Sequence, residues 1–299
     1  MSTINLGIIG CDTSHCVAFA KVFQDPENPP VLTGARITTA FPGGSPDFEL
    51  SHSRVEGFTR DLRDRFGVAI ADSPAAVAEA CDAVLLTSVD GRVHLPQFRE
   101  IAPYGKPVFI DKPFAITTAD ARAIFEVAEA AGVPVMGCSA LRYAESLQET
   151  IGEGAVSGAD FFGPLPLEPM QPGLFWYGIH LVEMLYAAMG AGCREVHAVV
   201  AASQEAVVGR WEDGRIGMLR GLRTGKRSFG GVLHGESGSR FVDPNAGRPS
   251  YVGLLDRVLD FVRSGNAPID PAETVEIVRF IEAANQSRES GEPVLLEGK

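Results

Sequence analysis

The sequence lacks long hydrophobic runs and basic tracts, and both absences restrict what the protein can do. No apolar stretch approaches the roughly 18 residues that a membrane span needs, and residues 1–6 lead straight into a strand pattern without a charged and apolar leader. Acidic residues outnumber basic ones by 38 to 26, for a net charge of −12. An acidic protein of this kind is a poor partner for nucleic acid or anionic membranes. We therefore expect a cytoplasmic protein that binds neither.

Cysteine pairs with a recognisable spacing are also missing. The five cysteines are odd in number and widely spread, with no Cys-x-x-Cys motif: Cys11, Cys16, Cys81, Cys138 and Cys193. This pattern favours reduced thiols over a disulfide framework or a zinc knuckle. The candidate ligands Asp12, His15, His94 and His180 match no metal-binding spacing either, so we predict no metal site.

The first half of the chain alternates short apolar strands with helices. Strand patterns occur at residues 5–9, 36–41, 68–70, 83–87, 107–110 and 133–137, and helical patterns between them include 15–24, 55–66 and 118–131. Such alternation is typical of right-handed crossovers in a parallel sheet that is covered on both faces. We predict an α/β Rossmann-like dinucleotide-binding domain over residues 1–142.

After residue 142 the pattern changes to strands that follow one another directly. Turn signals such as Glu212-Asp213-Gly214 separate the strand-like segments 195–202, 205–211, 215–223 and 227–234, and helical patterns cover 145–152, 179–189, 251–264 and 272–287. Consecutive hairpins indicate an antiparallel sheet. We predict an α+β domain with a predominantly antiparallel sheet over residues 143–299.

Asp111-Lys112-Pro113 directly follows the apolar run 108–110 and is the strongest chemical signal in the chain. Open α/β sheets bind ligands at the carboxyl ends of their strands. A lysine placed there can exchange a proton near neutral pH, because desolvation or a nearby cation lowers its pKa. The alternative is a solvated lysine in a strand-to-helix loop.

The first strand-to-helix turn tests for a dinucleotide site. In the turn from Gly10 to His15, Gly10 stands at the first position of the glycine fingerprint, but Asp12 and His15 replace the second and third glycines. An aspartate that faced a pyrophosphate would repel it, whereas Thr13 and Ser14 offer hydroxyls and amides at a helix N-terminus. The turn therefore either contributes to cofactor binding or only caps the helix through Asp12 or Ser14.

A polar turn after the fourth strand, Ser88 to His94, opens a helix at the same edge of the sheet. It either lines the cofactor site or, for His94, caps or packs within its own helix. The second strand ends without an acid for a ribose diol or an arginine for a 2′-phosphate, so NAD and NADP are both compatible with the sequence.

Taken together, these residues resemble the Gfo/Idh/MocA family of NAD(P)-dependent sugar and cyclitol oxidoreductases. Asp111-Lys112-Pro113 is similar to the family's Glu-Lys-Pro motif, and Ser88 to His94 is similar to its turn after the fourth strand. Gly178-Ile179-His180 is similar to the tail of its Asp-x-Gly-x-His segment, and residues 251–287 are similar to its closing helices. The resemblance covers essentially the whole chain.

The resemblance implies hydride transfer between a nicotinamide and a hydroxyl-bearing carbon of a sugar, cyclitol or derivative, with Lys112 and His180 handling the hydroxyl proton. It implies a homo-oligomer formed through the second-domain sheet and a role in carbohydrate metabolism. Four further residues are candidates for substrate binding: Arg142, Trp176, Tyr177 and Glu183. Arg142 either binds substrate oxygens or forms a salt bridge between domains. Glu183 either orients the His180 imidazole or is an ordinary polar face residue.

Trp176 departs from the family pattern, because the family has a catalytic aspartate four residues before the histidine. An indole exchanges no proton; it either stacks on a sugar or nicotinamide, or fills a core. Three functions therefore compete. The first is an NAD(P)-dependent oxidoreductase, the second is a lyase or glycoside-cleaving relative that uses bound NAD transiently, and the third is a non-redox sugar-binding protein that has lost the cofactor.

Overall fold

The structure is a computed structural model that describes residues 3–225 and 228–296 and divides into two compact units. The first unit takes the chain up to Ala115 together with Ala119–Cys138 and Leu254–Pro271, and the second takes Ile116–Thr118, Ser139–Gly253 and the residues from Ala272 onward. The predicted second domain contained residues 254–271, whereas in the structure this segment groups with the first unit. The boundary at residue 142 stays a prediction.

A six-stranded parallel sheet forms the first unit. Its elements are β1 (Ile4–Ile9), α1 (Ser14–Gln24), β2 (Ala35–Phe41), α2 (Glu49–Phe66), β3 (Ala69–Ile70), α3 (Pro74–Ala80), β4 (Ala83–Leu86), α4 (His94–Ile101), β5 (Val108–Ile110), α5 (Thr118–Ala131) and β6 (Val135–Gly137). The strand order is β3-β2-β1-β4-β5-β6 and all pairs are parallel. The central strands are buried along their length, as in Leu6, Leu85 and Ile110, which explains their continuous apolar sequences. The predicted Rossmann-like fold is confirmed.

Helix α2 begins at Glu49, six residues before the predicted start at residue 55. The early part of the helix carries polar residues without an apolar repeat, so periodicity did not detect it. The predicted end is confirmed: Gly67 adopts a left-handed conformation (φ 68°), and its N–H donates to the carbonyl of Arg63. The earlier start brings Ser51 and Arg54 into the helix.

A mixed seven-stranded sheet organises the second unit. The elements from residue 145 onward are α6 (Glu145–Gly152), β7 (Val156–Pro164), α7 (Gly178–Met189), β8 (Cys193–Val200), β9 (Gln204–Trp211), β10 (Ile216–Leu222), β11 (Gly230–Gly235), β12 (Gly238–Val242), α8 (Ser250–Ser264), α9 (Pro271–Ser290) and β13 (Val294–Leu295). The order is β12-β11-β7-β10-β9-β8-β13, and every pair is antiparallel except β7 with β10. The predicted α+β class with a mostly antiparallel sheet is confirmed.

Sequence patterns missed β7, an inner strand of this sheet. The strand contains Gly158 and Gly163 and ends at Pro164, which are weak strand formers. Packing explains one of them, because a Cβ at Gly163 would lie 2.4 Å from the Phe229 ring. Of the predicted strand 227–234, Arg227 lies outside the described residues and β11 begins at Gly230.

One face of this sheet packs against α7, and the other, the open face, carries the exposed side chains of Val199, Ile216 and Phe241. A Cβ at Gly217 would lie 2.6 Å from Leu185 of α7, which shows how closely the helix approaches. Within the described residues, no helix is both long enough and apolar enough to cross a membrane.

Candidate active site

The turn after β1 packs directly onto the turn after β4, and Gly10 makes this possible. Gly10 has a φ of 96°, and a Cβ there would lie 2.3 Å from the backbone nitrogen of Ser88. The Thr87 hydroxyl donates to the Gly10 carbonyl at 2.7 Å. Only glycine fits this position, in agreement with the predicted role of Gly10 as the residue of the tight turn.

Asp12 stands where the fingerprint has its second glycine, and its carboxylate is fully engaged within the unit. It accepts hydrogen bonds from the Ser51 hydroxyl at 2.6 Å and from the Val89 N–H at 3.0 Å. Burial raises the pKa of Asp12, although these hydrogen bonds and the nearby Arg54 charge oppose the shift. The carboxylate thus connects three segments: the turn after β1, the start of α2 and the turn after β4.

Thr13, rather than Asp12 or Ser14, is the N-cap of α1. Its hydroxyl oxygen accepts from the His15 N–H at 3.4 Å, so the predicted choice of cap residue was wrong. Asp12 is unavailable because Ser51 and Val89 occupy its oxygens. Ser14 is exposed on the first turn of α1.

His15, which stands at the third glycine position, pairs with Asp111. The Nδ1–H of His15 donates to Asp111 Oδ2 at 2.5 Å, and both residues are buried. Burial acts to raise the pKa of Asp111, but His15 and then Lys112 outweigh it and hold this pKa below its usual value. The other oxygen, Asp111 Oδ1, is buried and accepts no hydrogen bond within the described part of the chain.

Lys112 follows β5 and is 7% exposed. Desolvation lowers the pKa of its ammonium group, and Arg54 adds to the effect, whereas Asp111 and Asp12 oppose it. The peptide bond to Pro113 is cis. Burial at the carboxyl end of a central strand together with a lowered pKa makes Lys112 a candidate for proton exchange.

The turn after β4 is held by hydrogen bonds of its own. Both ring nitrogens of the fully buried His94 contact backbone carbonyls: Nε2 lies 2.7 Å from Ser88 O, and Nδ1 lies 3.1 Å from Phe114 O. The Ser88 hydroxyl donates to Gln97 at 2.8 Å. The His94 side chain therefore links the turn after β4 to Phe114, in the segment after β5.

In the second unit, His180 lies in the first turn of α7 and is oriented by a serine. Its Nδ1 lies 2.6 Å from the hydroxyl of Ser139. The rings of Tyr177 and Phe229 meet the imidazole edge to face, at centroid distances of 5.9 and 5.4 Å. Trp176 packs against Tyr177 in the same manner at 5.5 Å.

Arg142 and Glu183, both predicted to bind substrate, pair with each other. The Arg142 guanidinium donates to Glu183 at 2.7 Å and to Glu273 of α9 at 2.6 Å. Glu183 is 4% exposed and is not an ordinary face residue; burial raises its pKa, and Arg142 opposes the shift. This geometry favours the salt-bridge alternative for Arg142. Both of its partners, Glu183 and Glu273, belong to the same unit as Arg142, so the salt bridge does not join two domains.

Sequence reasoning missed several residues that shape these sites. Ser51 and Arg54 reach the turn after β1 from a helix start that showed no apolar repeat. Ser139 had a usable signal, because it follows β6 as Lys112 follows β5, at the carboxyl end of a parallel strand. In the described ranges, no group of three or more His, Cys, Asp or Glu side chains is arranged to hold a metal ion.

A comparison with protein-family models gives one match. Residues 50–137 match the model of the oxidoreductase family with an NAD-binding Rossmann fold, Gfo/Idh/MocA. This segment, under a third of the chain, is similar to that family. The match includes Ser88, His94, Asp111 and Lys112 but not the altered turn from Gly10 to His15. It confirms the predicted family and, with it, the predicted class of NAD-binding oxidoreductase.

Solved structures share the fold of this chain over nearly its whole length. A probable dehydrogenase from Thermotoga maritima is 20% identical, with a TM-score of 0.77 over 98% of this chain and 99% of that one. GenD2 from gentamicin A biosynthesis, solved in complex with NAD, is 19% identical, with a TM-score of 0.78 over 100% and 97%. Myo-inositol dehydrogenase from Lactobacillus casei, in complex with NAD(H) and myo-inositol, is 15% identical, with a TM-score of 0.78 over 99% and 98%. No curated protein matches the sequence.

Proposed function

We propose that this protein moves a hydride between a nicotinamide cofactor and a hydroxyl-bearing carbon of a sugar, cyclitol or derivative. The observation that carries the proposal is Lys112: it is buried, its pKa is lowered by desolvation, and it follows β5 within the segment that matches an NAD-binding oxidoreductase family. Oxidation of an alcohol needs a group that accepts the hydroxyl proton as the hydride leaves. A neutral lysine amine meets that need.

The residues of the first unit fit a dinucleotide. Gly10 keeps the turn after β1 free of a side chain, and the N-terminus of α1 directly follows, where backbone amides favour a pyrophosphate. Asp12 has both carboxylate oxygens engaged by Ser51 and Val89, which reduces its repulsion of an anion. Asp111 Oδ1 is a buried acceptor suited to a hydroxyl group. A bound nicotinamide would supply or accept the hydride.

In the second unit, His180 is the second residue proposed to act on the hydroxyl proton, and the aromatic residues beside it are proposed to bind substrate. A cavity of about 300 Å³ is lined by Pro164, Pro166, Tyr177 and Gly225. Flat aromatic faces stack on the apolar faces of sugar rings. Tyr177 and Trp176 therefore suit a carbohydrate, whereas Arg142 and Glu183 contribute through the ion pair that supports this region.

The experiment is NAD- and NADP-dependent turnover with a panel of sugars and cyclitols, comparing wild-type protein with Lys112→Met. We expect the variant to lose at least about 100-fold in kcat while NADH affinity stays close to wild type, because proton transfer and not binding is removed. Lys21→Met, which removes an exposed lysine of α1, is the matched control. Full activity of Lys112→Met would refute the role of the lysine.

The same panel separates the competing functions. Turnover without net change in cofactor absorbance, with NAD retained through purification, would select the transient-redox lyase. Sugar binding without any nicotinamide binding would select the non-redox protein.

We also propose that the protein is a homo-oligomer formed through the open face of the second-unit sheet. Strand register places Phe241, Val232, Met218, Val208 and Val199 on this face, and Phe241 is 64% exposed. Exposed apolar patches of this kind mark interaction surfaces. Light scattering should give a multimer for wild type and a monomer for Phe241→Glu, with the exposed Val31→Glu of the first unit as control. A monomeric wild type would refute the proposal.

A further inference from the structure

The carboxylate of Asp111 is shared between two basic residues of the first unit. Its Oδ2 accepts the Nδ1–H of His15 at 2.5 Å, and the next residue in the chain is Lys112. Its Oδ1 accepts no hydrogen bond within residues 3–225 and 228–296, so Lys112 does not bond to that oxygen. The histidine that bonds to this carboxylate stands where the dinucleotide fingerprint has its third glycine.

The imidazole and the carboxylate are each held in place by their own surroundings. The ring of His15 packs against Phe19 at a centroid distance of 5.8 Å. Phe19 in turn meets the ring of Phe109, in β5, edge to face at 6.4 Å. The backbone N–H of Asp111 donates to the carbonyl of Leu86, in β4, at 2.9 Å. The hydrogen bond between His15 and Asp111 therefore joins α1 to the ends of two central strands.

Four charged or titratable residues surround Lys112 and determine how stable its ammonium form is. Burial and Arg54 disfavour the ammonium, whereas Asp111 and Asp12 favour it. An ionised carboxylate only accepts hydrogen bonds, so His15 is the donor to Asp111 whether its imidazole is neutral or protonated. In both states this bond draws on the negative charge of Asp111 and reduces its attraction for the lysine.

We propose that His15 is a positioning residue of the proton-transfer site: by binding the Asp111 carboxylate, it weakens the attraction between Asp111 and the Lys112 ammonium and so favours the neutral amine. This inference rests on the proposed function of Lys112 as the base. A glycine at the position of His15 has no side chain with which to bind the carboxylate. The change from the glycine fingerprint at this position thus serves the lysine.

The first test follows the titration of Lys112 by NMR of protein that carries ¹³C-labelled lysine, and it requires neither cofactor nor substrate. Five lysines are present, and Lys112→Met assigns the signal of Lys112. His15→Leu removes the donor to Asp111, and we expect Lys112 to titrate about one pH unit higher. His15→Asn, which matches leucine in size and keeps an N–H donor, should bring the titration back toward the wild-type value. An unchanged or lower titration in His15→Leu would overturn the proposal.

The second test asks whether the effect of His15 passes through Asp111. In an Asp111→Asn background the carboxylate charge is absent, so His15→Leu should no longer move the titration of Lys112. A shift to higher pH in this background would overturn the proposed route. The comparison remains possible even where His15→Leu alone does not fold, because no buried carboxylate is left without its donor.

His52→Leu is the matched control for both measurements. It removes a histidine of α2 that is 45% exposed and pairs with Glu49. The titration of Lys112 should stay at its wild-type value in this variant. A shift as large as that of His15→Leu would show that loss of any histidine of the unit has this effect, and it would overturn the proposal.

The pH–rate profile gives an independent readout with any sugar or cyclitol that is turned over. Oxidation needs the neutral amine, so the Lys112 limb of kcat/KM should move to higher pH in His15→Leu, as the NMR titration does. A limb that stays in place in an active His15→Leu variant would overturn the role of His15. Absence of turnover with every substrate would refute the proposed function, whereas the NMR titration would still decide whether His15 acts on Lys112.

Discussion

Replacement of Arg142 by methionine tests the buried ion-pair cluster of the second unit. The Arg142 side chain is 9% exposed, and its guanidinium group bonds to Glu183 and Glu273, whose side chains are 5% and 17% exposed. Removing one partner of a buried pair leaves an uncompensated charge and costs about 3–5 kcal/mol. Glu273 is partly solvated, so we expect about 3 kcal/mol of lost stability at neutral pH.

The loss should depend on pH with a definite sign. In the folded wild type the pKa of Glu183 already lies above its usual value, because of burial and despite Arg142. A carboxyl group with a raised folded pKa costs stability as pH rises from the unfolded to the folded pKa. Without Arg142, the pKa of Glu183 rises further. The deficit of Arg142→Met should therefore be largest at neutral pH and shrink toward acid pH, where the folded protein holds Glu183 protonated.

Urea unfolding followed by tryptophan fluorescence is the appropriate assay. The chain has two tryptophans, Trp176 and Trp211, and both belong to the second unit, so the signal reports on the unit that contains the cluster. Arg210→Met is the matched control, because the Arg210–Glu195 pair is solvated and contributes at most about 1 kcal/mol. A loss no larger than that of the control, or a deficit that grows at acid pH, would refute the reasoning.

Three further predictions concern the first unit. Gly10→Ala should lower stability by about 3 kcal/mol in thermal unfolding and weaken NADH binding, since it combines a left-handed conformation with a collision against Ser88. The control Gly57→Ala, where a Cβ on α2 would meet no atom within 4 Å, should lower neither stability nor NADH affinity. Asp12→Asn should tighten NADH binding severalfold by calorimetry, because it removes a negative charge and keeps the size of the side chain. Unchanged affinity would show that the Asp12 charge does not act on the bound cofactor. Asp111→Asn should shift the Lys112 limb of the pH–rate profile to lower pH, because the Asp111 charge raises the pKa of Lys112; a shift to higher pH would contradict this.

The fold was predictable because its signals are local. Continuous apolar segments predicted the strands of the parallel sheet, and glycines such as Gly67 predicted where its helices end. Turn residues predicted the hairpins of the second unit. Sequence patterns missed the inner strand β7, because its Gly163 is explained by packing against Phe229, a residue distant in sequence. Periodicity likewise missed the start of α2, where polar residues face the turn after β1.

The candidate site was predictable only in part, for the same reason. Lys112 was found through its position at a strand end. The charged groups around Lys112 were not predicted. His15 pairs with Asp111 across 96 residues, and Arg54 lies in the first turns of α2, where the sequence shows no apolar repeat. Arg142 and Glu183 were selected as substrate ligands because their chemistry suits that role, whereas their mutual distance shows that they bind each other.

Calorimetric titration of the wild-type protein with NADH and with NADPH tests the central claim most directly. The Gly10 turn, the N-terminus of α1 and the buried acceptor on Asp111 predict saturable binding of at least one cofactor, with an affinity that is weakened in Gly10→Ala. No binding of either cofactor at millimolar concentration would contradict the proposed hydride transfer.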